Sequence, residues 1–147
     1  MTAKATLSSL AADLAAGRTT SIRLVEDCLD RIADESGEGK RAFLRVASQS
    51  ARTAAAAMDG LRNAGVAPSP YAGIPISIKD LFDIAGDVTT AGSRVLADAA
   101  PAAVDAPVVA RLRRAGFVVV GRTNMTEFAY SGLGINPHFG TPLNPWG

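Results

Sequence analysis

The chain has 147 residues and a formal net charge of +1; 48% of its residues are hydrophobic and 20% are charged. This length and composition are typical of one globular domain, and they argue against a disordered or low-complexity chain. Because the charge is near zero and Lys and Arg residues do not cluster with aromatics, we expect no direct nucleic-acid partner.

The cysteine content and the hydropathy indicate the compartment. Cys28 is the only cysteine, so no internal disulfide can form and a reducing environment is favoured. Asp13 interrupts the first apolar stretch before a signal-peptide core has formed. No run approaches the ~18 consecutive apolar residues of a membrane helix. We therefore expect a cytoplasmic chain without a membrane partner.

The first 65 residues are predicted to be mainly helical. In "TTSIRLVEDCLDRIADES" apolar residues recur at helical spacing, with Thr20 or Ser21 available as the cap. The preceding "SSLAADLAAGR" predicts a shorter helix that ends at Gly17, and "SQSARTAAAAMDGLRNAG" predicts an alanine-rich helix that ends near Gly65. We therefore predict a helical segment over residues 1–65.

The pattern changes after a connector, "VAPSPYAG", whose prolines cannot continue a helix. Residues 74–79 and 117–121 then predict two buried strands, with a helix over 106–115 between them. Such a βαβ unit requires parallel strands joined by a right-handed crossover. An α/β core is therefore predicted to start at residue 66.

A single cation, Lys79, ends the apolar run "GIPISIK". A lysine at a strand end commonly lays its stem along apolar surface and keeps its ammonium in water. In α/β sheets, however, ligands bind beyond the carboxyl ends of the strands, so Lys79 is also a candidate base. A lysine that acts as a base must be neutral, which requires a closed pocket that excludes water.

Four segments of the sequence, in their order and spacing, resemble the amidase signature hydrolases. They are "AGIPISIKDLFDIAG", "TTAGSRVL", "DAPVVARLRRAGFVVVGRTNMTEFAYSG" and "GTPLNPWG". The resemblance implies an α/β fold in which N-terminal helices precede the first strands of a mixed, helix-covered sheet. Residues 1–65 would be the helical segment and residues 66–147 the start of the amidase core.

The same resemblance implies a Ser-cisSer-Lys triad, in which Lys79 holds the lysine position. Lysine would then take the place that histidine has in the better-known serine hydrolases, and neither a metal nor an organic cofactor is needed. In the family, the bridging serine belongs to a glycine- and serine-rich loop after the "NPW" segment, and the nucleophilic serine lies farther downstream. We therefore expect both serines to lie outside this sequence, which we interpret as a truncated amino-terminal portion, inactive alone.

Five further residues stand where the family places the wall of its catalytic cleft: Thr123, Asn124, Met125, Glu127 and Ser131. We expect them to support the cleft. Local chemistry leaves an alternative open, in which Asn124 caps a helix over residues 125–130 and Glu127 favours its first turn. His138 is the sole histidine, and without a second one or a cysteine cluster we expect no metal site.

The leading functional interpretation is hydrolysis of a small carboxylic amide to an acid and ammonia or an amine. One alternative is the glutaminase-type subunit of a tRNA-dependent amidotransferase, although the loop "EFAYSGLGINPHFGTPLNP" looks closer to the stand-alone amidases. Another alternative is a non-catalytic remnant or interaction fragment. The expected partner is a small-molecule amide, and for the full-length protein a homodimer stays open.

Overall fold

The computed structural model describes residues 5–144. Its helices are α1 (Leu7–Ala15), α2 (Ser21–Ala33), α3 (Gly39–Ala42), α4 (Ser48–Asn63) and α5 (Pro107–Arg114), and a 3₁₀ turn covers Glu127–Ala129. Its strands are β1 (Phe43–Val46), β2 (Pro75–Lys79) and β3 (Val118–Thr123). The predicted helices and both predicted strands are confirmed, with ends shifted by a few residues.

The chain forms two compact units. The first contains the described part of Met1–Leu29 together with Ala47–Ile76 and Leu112–Val120. The second contains Asp30–Val46, Ser77–Arg111 and Gly121–Gly147, as far as these residues are described. Because α2, α5, β2 and β3 each run from one unit into the other, each unit is assembled from separate stretches of sequence. The predicted boundary between residues 65 and 66 stays a prediction.

In the first unit, α2 starts where two side chains satisfy its free N–H groups. Thr20 Oγ1 accepts a hydrogen bond from the N–H of Arg23 at 3.1 Å, which confirms the first of the two predicted caps. The carboxylate of Asp59, on α4, accepts the N–H groups of Ser21 at 2.7 Å and Ile22 at 3.1 Å. A negative charge at this helix terminus is also favoured by the helix dipole.

The helices of the first unit bury the apolar stripes that the sequence predicted. Val25 and Leu29 of α2 are buried, as are Ala51 and Ala55 of α4. Both oxygens of Glu26 accept hydrogen bonds from Arg52, at 2.7 and 2.8 Å, and this pairing lowers the pKa of the Glu26 carboxyl.

The three strands form a mixed sheet with the order β1-β3-β2. β1 is antiparallel to β3, with Phe43 opposite Thr123 and Val46 opposite Gly121. Between β2 and β3, Val118 N–H bonds to Ile74 O and Asp80 N–H bonds to Thr123 O. These bonds advance in the same direction along both chains, so β2 and β3 are parallel, as predicted. The handedness of their crossover through α5 stays a prediction.

Strand β1 ("FLRV") lies inside the segment that was predicted to be mainly helical, and no strand was predicted there. Four residues are too few to show a period, and the strand exists because its backbone pairs with β3. The approach is close at Gly121, where an added Cβ would lie 2.4 Å from Arg45 O. Only glycine fits there without shifting the partner strand.

No helix among residues 5–144 combines the length and the apolar character required to cross a membrane.

The second unit contains a strongly acidic carboxyl. Glu38 accepts hydrogen bonds from Arg41 Nε at 2.7 Å and from the N–H of Leu143 at 3.0 Å. The bond to Arg41, followed by that to Leu143, lowers the pKa of Glu38 from 4.5 to about 2. This carboxylate therefore stabilises the folded state fully above pH 4.5, and its contribution is lost as the pH falls from 4.5 towards 2.

The variant Glu38→Gln should therefore flatten the dependence of unfolding free energy on pH in this acidic window. Urea denaturation at a series of pH values measures the slope. Glu35→Gln is the matched control, since Glu35 is a neighbouring exposed glutamate paired with Lys40 at 2.9 Å. An equal loss of slope in both variants would contradict the role assigned to Glu38.

Candidate functional site

Lys79 is the last residue of β2. At the end of the strand the side chains alternate: Ile78 is buried, and Ser77 and Lys79 on either side of it are exposed. The lysine therefore leaves the sheet at the carboxyl end of a parallel strand, the position from which α/β proteins present ligand-binding groups.

A cleft of about 460 Å³ opens beside Lys79 in the second unit. Its lining consists of Lys79, Asn124, Met125, Thr126, Ala129, Tyr130, Ser131, Gly132 and Gly134. Three of the five predicted support residues, Asn124, Met125 and Ser131, thus share a cleft with the lysine. Thr123 and Glu127 do not line it.

Asn124 is held by carbonyl groups from distant parts of the sequence. Its Nδ2 donates to Arg41 O at 3.0 Å and to Gly140 O at 2.8 Å, while its Oδ1 accepts the N–H of Met125 at 2.8 Å. The alternative in which Asn124 caps a helix over residues 125–130 is wrong. Only a 3₁₀ turn follows, and Phe128 within it has φ +52°, which an α-helix excludes.

Glu127 is directed to a second group of residues. Its Oε1 accepts a hydrogen bond from the hydroxyl of Ser93 at 2.5 Å and lies 3.6 Å from His138 Nε2. Ser93 is fully buried and its Oγ also accepts the N–H of Val95. This serine therefore takes part in a structural contact between the loop that contains it and the 3₁₀ turn that contains Glu127.

Asn136 is a structural residue that the sequence analysis did not identify. It is buried, and its Nδ2 donates to Gly92 O at 2.7 Å and to Met125 O at 2.8 Å. Its Oδ1 accepts the N–H groups of His138 and Phe139. Asn136 therefore fixes the backbone at Met125 on one side of the cleft.

A second omission is the buried ion pair of Asp80 and Arg122. Arg122 Nε donates to Asp80 Oδ1 at 2.7 Å. The side chain of Asp80 is 0% exposed and that of Arg122 is 2% exposed. Arg122 stands in the otherwise apolar run "FVVVGRTN", and a charge in a buried strand requires a partner. That rule could have identified Arg122 as a residue with a buried partner, but the sequence does not show which carboxylate pairs with it.

Among residues 5–144, no group of three or more His, Cys, Asp or Glu side chains is placed to hold a metal ion.

A second cavity, of about 320 Å³, lies in the first unit between α4 and the start of β3. None of the predicted site residues lines it.

Comparison with known proteins defines the class of this chain. The Amidase family model matches residues 23–147, so the chain belongs to the Amidase family. The native peptide amidase from Stenotrophomonas maltophilia shares its fold with a TM-score of 0.85 and 34% identity, over 99% of this chain and 31% of that chain. The predicted family and α/β fold class are both confirmed.

Two further proteins are similar to this chain. The A subunit of the glutamyl-tRNA(Gln) amidotransferase from Mycobacteroides abscessus is 41% identical over 138 residues, which cover 94% of this chain and 28% of that protein. A structure described as an unexpected vestigial protein complex, revealing the evolutionary origins of an s-triazine catabolic enzyme, matches with a TM-score of 0.90 and 37% identity. That match covers 97% of this chain and 31% of the other. The chain thus spans less than a third of the length of these relatives.

Proposed function

We propose that Lys79 is the base of a Ser-cisSer-Lys amidase site, and that residues 1–147 contribute the lysine part of it. The observation that supports this proposal is the shared cleft: Lys79 lies at the carboxyl end of β2 and lines one concavity with Asn124 and Ser131. Family membership supplies the reaction class, which is hydrolysis of a C–N amide bond.

In the proposed mechanism, neutral Lys79 accepts a proton from a bridging serine, which in turn accepts one from the nucleophilic serine. The activated serine attacks the amide carbonyl, and the tetrahedral intermediate collapses to an acyl-enzyme as the proton returns to the departing amine or ammonia. Backbone N–H groups of the glycine- and serine-rich loop stabilise the oxyanion. Water then hydrolyses the acyl-enzyme and releases the acid.

The exposure of Lys79 bears directly on this mechanism. A lysine in water stays protonated, and a neutral lysine needs walls that exclude water. Here Lys79 is exposed. The proposal therefore assigns the remaining walls and both serines to segments of the family fold beyond residue 147, and it needs no metal or cofactor.

A second candidate is a glutaminase-type subunit of a tRNA-dependent amidotransferase. The 41% identity to a glutamyl-tRNA(Gln) amidotransferase favours it, and the 34% identity to a peptide amidase favours a stand-alone enzyme. Both candidates use the same lysine chemistry. They differ in the amide accepted and in the need for a partner protein, so turnover of glutamine compared with simple amides separates them.

Purified residues 1–147 are expected to hydrolyse amides no faster than their Lys79→Ala variant. A serine hydrolase that lacks its nucleophile retains only residual catalysis, and the proposal also assigns the oxyanion-binding loop to segments beyond residue 147. Release of ammonia or amine from simple amides and from glutamine measures the difference. Lysine-dependent turnover by this chain would show that its own residues supply the nucleophile, and the proposed site would then be wrong.

A further inference from the structure

Four charged residues surround the turn that follows Lys79. This Arg–Asp quartet consists of Arg45 on β1, Asp80 directly after β2, Asp87 in the following loop and Arg122 on β3. Arg45 and Arg122 are paired across the antiparallel strands, an arrangement that is destabilising for like charges alone. The two carboxylates compensate both cations, so the quartet as a whole is neutral.

Asp80 uses both carboxylate oxygens within the protein. Oδ1 accepts from Arg122 Nε at 2.7 Å, and Oδ2 accepts from the N–H of Gly92 at 3.0 Å and from the hydroxyl of Thr90. Charge-assisted bonds of this kind are stronger than bonds between neutral groups. The carboxylate therefore ties the residue after Lys79 to β3 and to the loop that contains Gly92.

Arg122 holds the same turn from the other side. Its Nη2 donates to Phe82 O at 3.0 Å and to Thr89 Oγ1 at 3.0 Å. The N–H of Phe82 donates in turn to Lys79 O at 3.1 Å, which closes the turn over residues 79–82. The guanidinium thus binds the carboxylate of Asp80 and the carbonyl of Phe82, both in the turn after Lys79, with a geometry that a lysine ammonium could not reproduce.

We propose that Asp80 and Arg122 are positioning residues for Lys79, because they fix the backbone direction from which its side chain enters the cleft. A merely stabilising ion pair could lie anywhere in the core. This pair is instead joined to Lys79 by one covalent step through Asp80 and by one hydrogen-bonded turn through Phe82. The catalytic meaning of the positioning rests on the proposed function of Lys79, but the positioning itself does not.

The test uses the 147-residue chain and three variants, Arg122→Lys, Asp80→Asn and Arg52→Lys. Arg122→Lys keeps the positive charge and removes the planar guanidinium, and Asp80→Asn keeps the shape of the side chain and removes its negative charge. Arg52→Lys is the matched control, since it removes the planar guanidinium of an arginine in another two-bond ion pair, with Glu26. Two NMR readouts apply: amide hydrogen exchange at Phe82 and Gly92, and the Cα–Hα residual dipolar coupling of Lys79.

We expect Arg122→Lys and Asp80→Asn to accelerate exchange at Phe82 and Gly92 by about tenfold or more, as hydrogen bonds to charged groups are lost. The dipolar coupling of Lys79 should change in both variants and stay unchanged in Arg52→Lys. If either variant does not fold, Thr89→Val replaces it, since this change removes one acceptor of Arg122 and spares both charges.

An unchanged coupling at Lys79, with unfolding free energy reduced in the variants, would overturn the proposal and leave the pair a stabilising element only. A changed coupling in the Arg52→Lys control would overturn it as well. Because no readout depends on turnover, a failure of Lys79 to support catalysis would affect the proposed function and leave this result standing.

Discussion

In a protein extended past Gly147 through both of the family's downstream catalytic serines, Lys79→Ala is expected to lower kcat/KM for amides by roughly 10³- to 10⁶-fold. The base and the nucleophile act as a unit, so removal of the base leaves only the oxyanion donors and substrate binding to accelerate the reaction. Steady-state kinetics with the amide that the extended protein hydrolyses fastest measures the loss.

Lys40→Ala is the matched control for that experiment. Lys40 is also exposed, and its ammonium pairs with Glu35 on the surface, where an ion pair contributes little. Its removal should leave kcat/KM within about twofold of the parent. An extended protein that is active and indifferent to the loss of Lys79 would refute the assignment of Lys79 as the base, whatever the effect of Lys40→Ala.

Gly73→Ala is expected to destabilise the fold by about 2–6 kcal/mol, the sum of backbone strain and overpacking. Gly73 has φ +90°, and a Cβ added there would lie 1.7 Å from Ser21 Oγ. Rotation of the Ser21 hydroxyl does not remove the overlap, because Ser21 Cβ would still lie 2.7 Å from the added Cβ, and the N–H of Gly73 is bonded to Gly116 O at 2.8 Å. Urea denaturation with a fluorescence or circular-dichroism readout measures the change.

Gly65→Ala separates the two contributions to that loss. Gly65 also has a positive φ, +73°, but no atom lies within 4 Å of an added Cβ. Its variant should therefore show the strain alone, about 1–2 kcal/mol. Equal losses in the two variants would mean that the contact with Ser21 relaxes freely, and the steric argument for Gly73 would fail.

The elements that could be predicted from the sequence are those with local causes. The 3.6-residue stripe of α2, the glycines that follow α1 and α5, and the apolar runs of β2 and β3 each act within one turn or one strand. The position of Lys79 at a strand end is equally local. The match of the Amidase family model to residues 23–147 confirmed the family that the four quoted segments resemble.

The contacts that shape the cleft could not be predicted in this way, because their partners are far apart in the chain. Asp80 and Arg122 are 42 residues apart, and Asn124 bonds to the carbonyl of Arg41 across 83 residues. Local propensity made Asn124 a plausible helix cap, but distant carbonyls satisfied its amide and no α-helix formed. A buried polar group requires hydrogen-bond partners, but the sequence alone does not show which residues those partners are.

By itself, then, the sequence determined helices α1, α2, α4 and α5, strands β2 and β3, and the lysine at the end of β2, since each follows from periodicity, caps and composition over a few neighbouring residues. Only the tertiary structure decided that "FLRV" forms a strand, that Asp80 and Arg122 enclose the turn after Lys79, and that Glu127 faces Ser93 instead of the cleft. The physical reason is that backbone ladders and buried charges are satisfied by whichever group the fold brings within hydrogen-bonding distance.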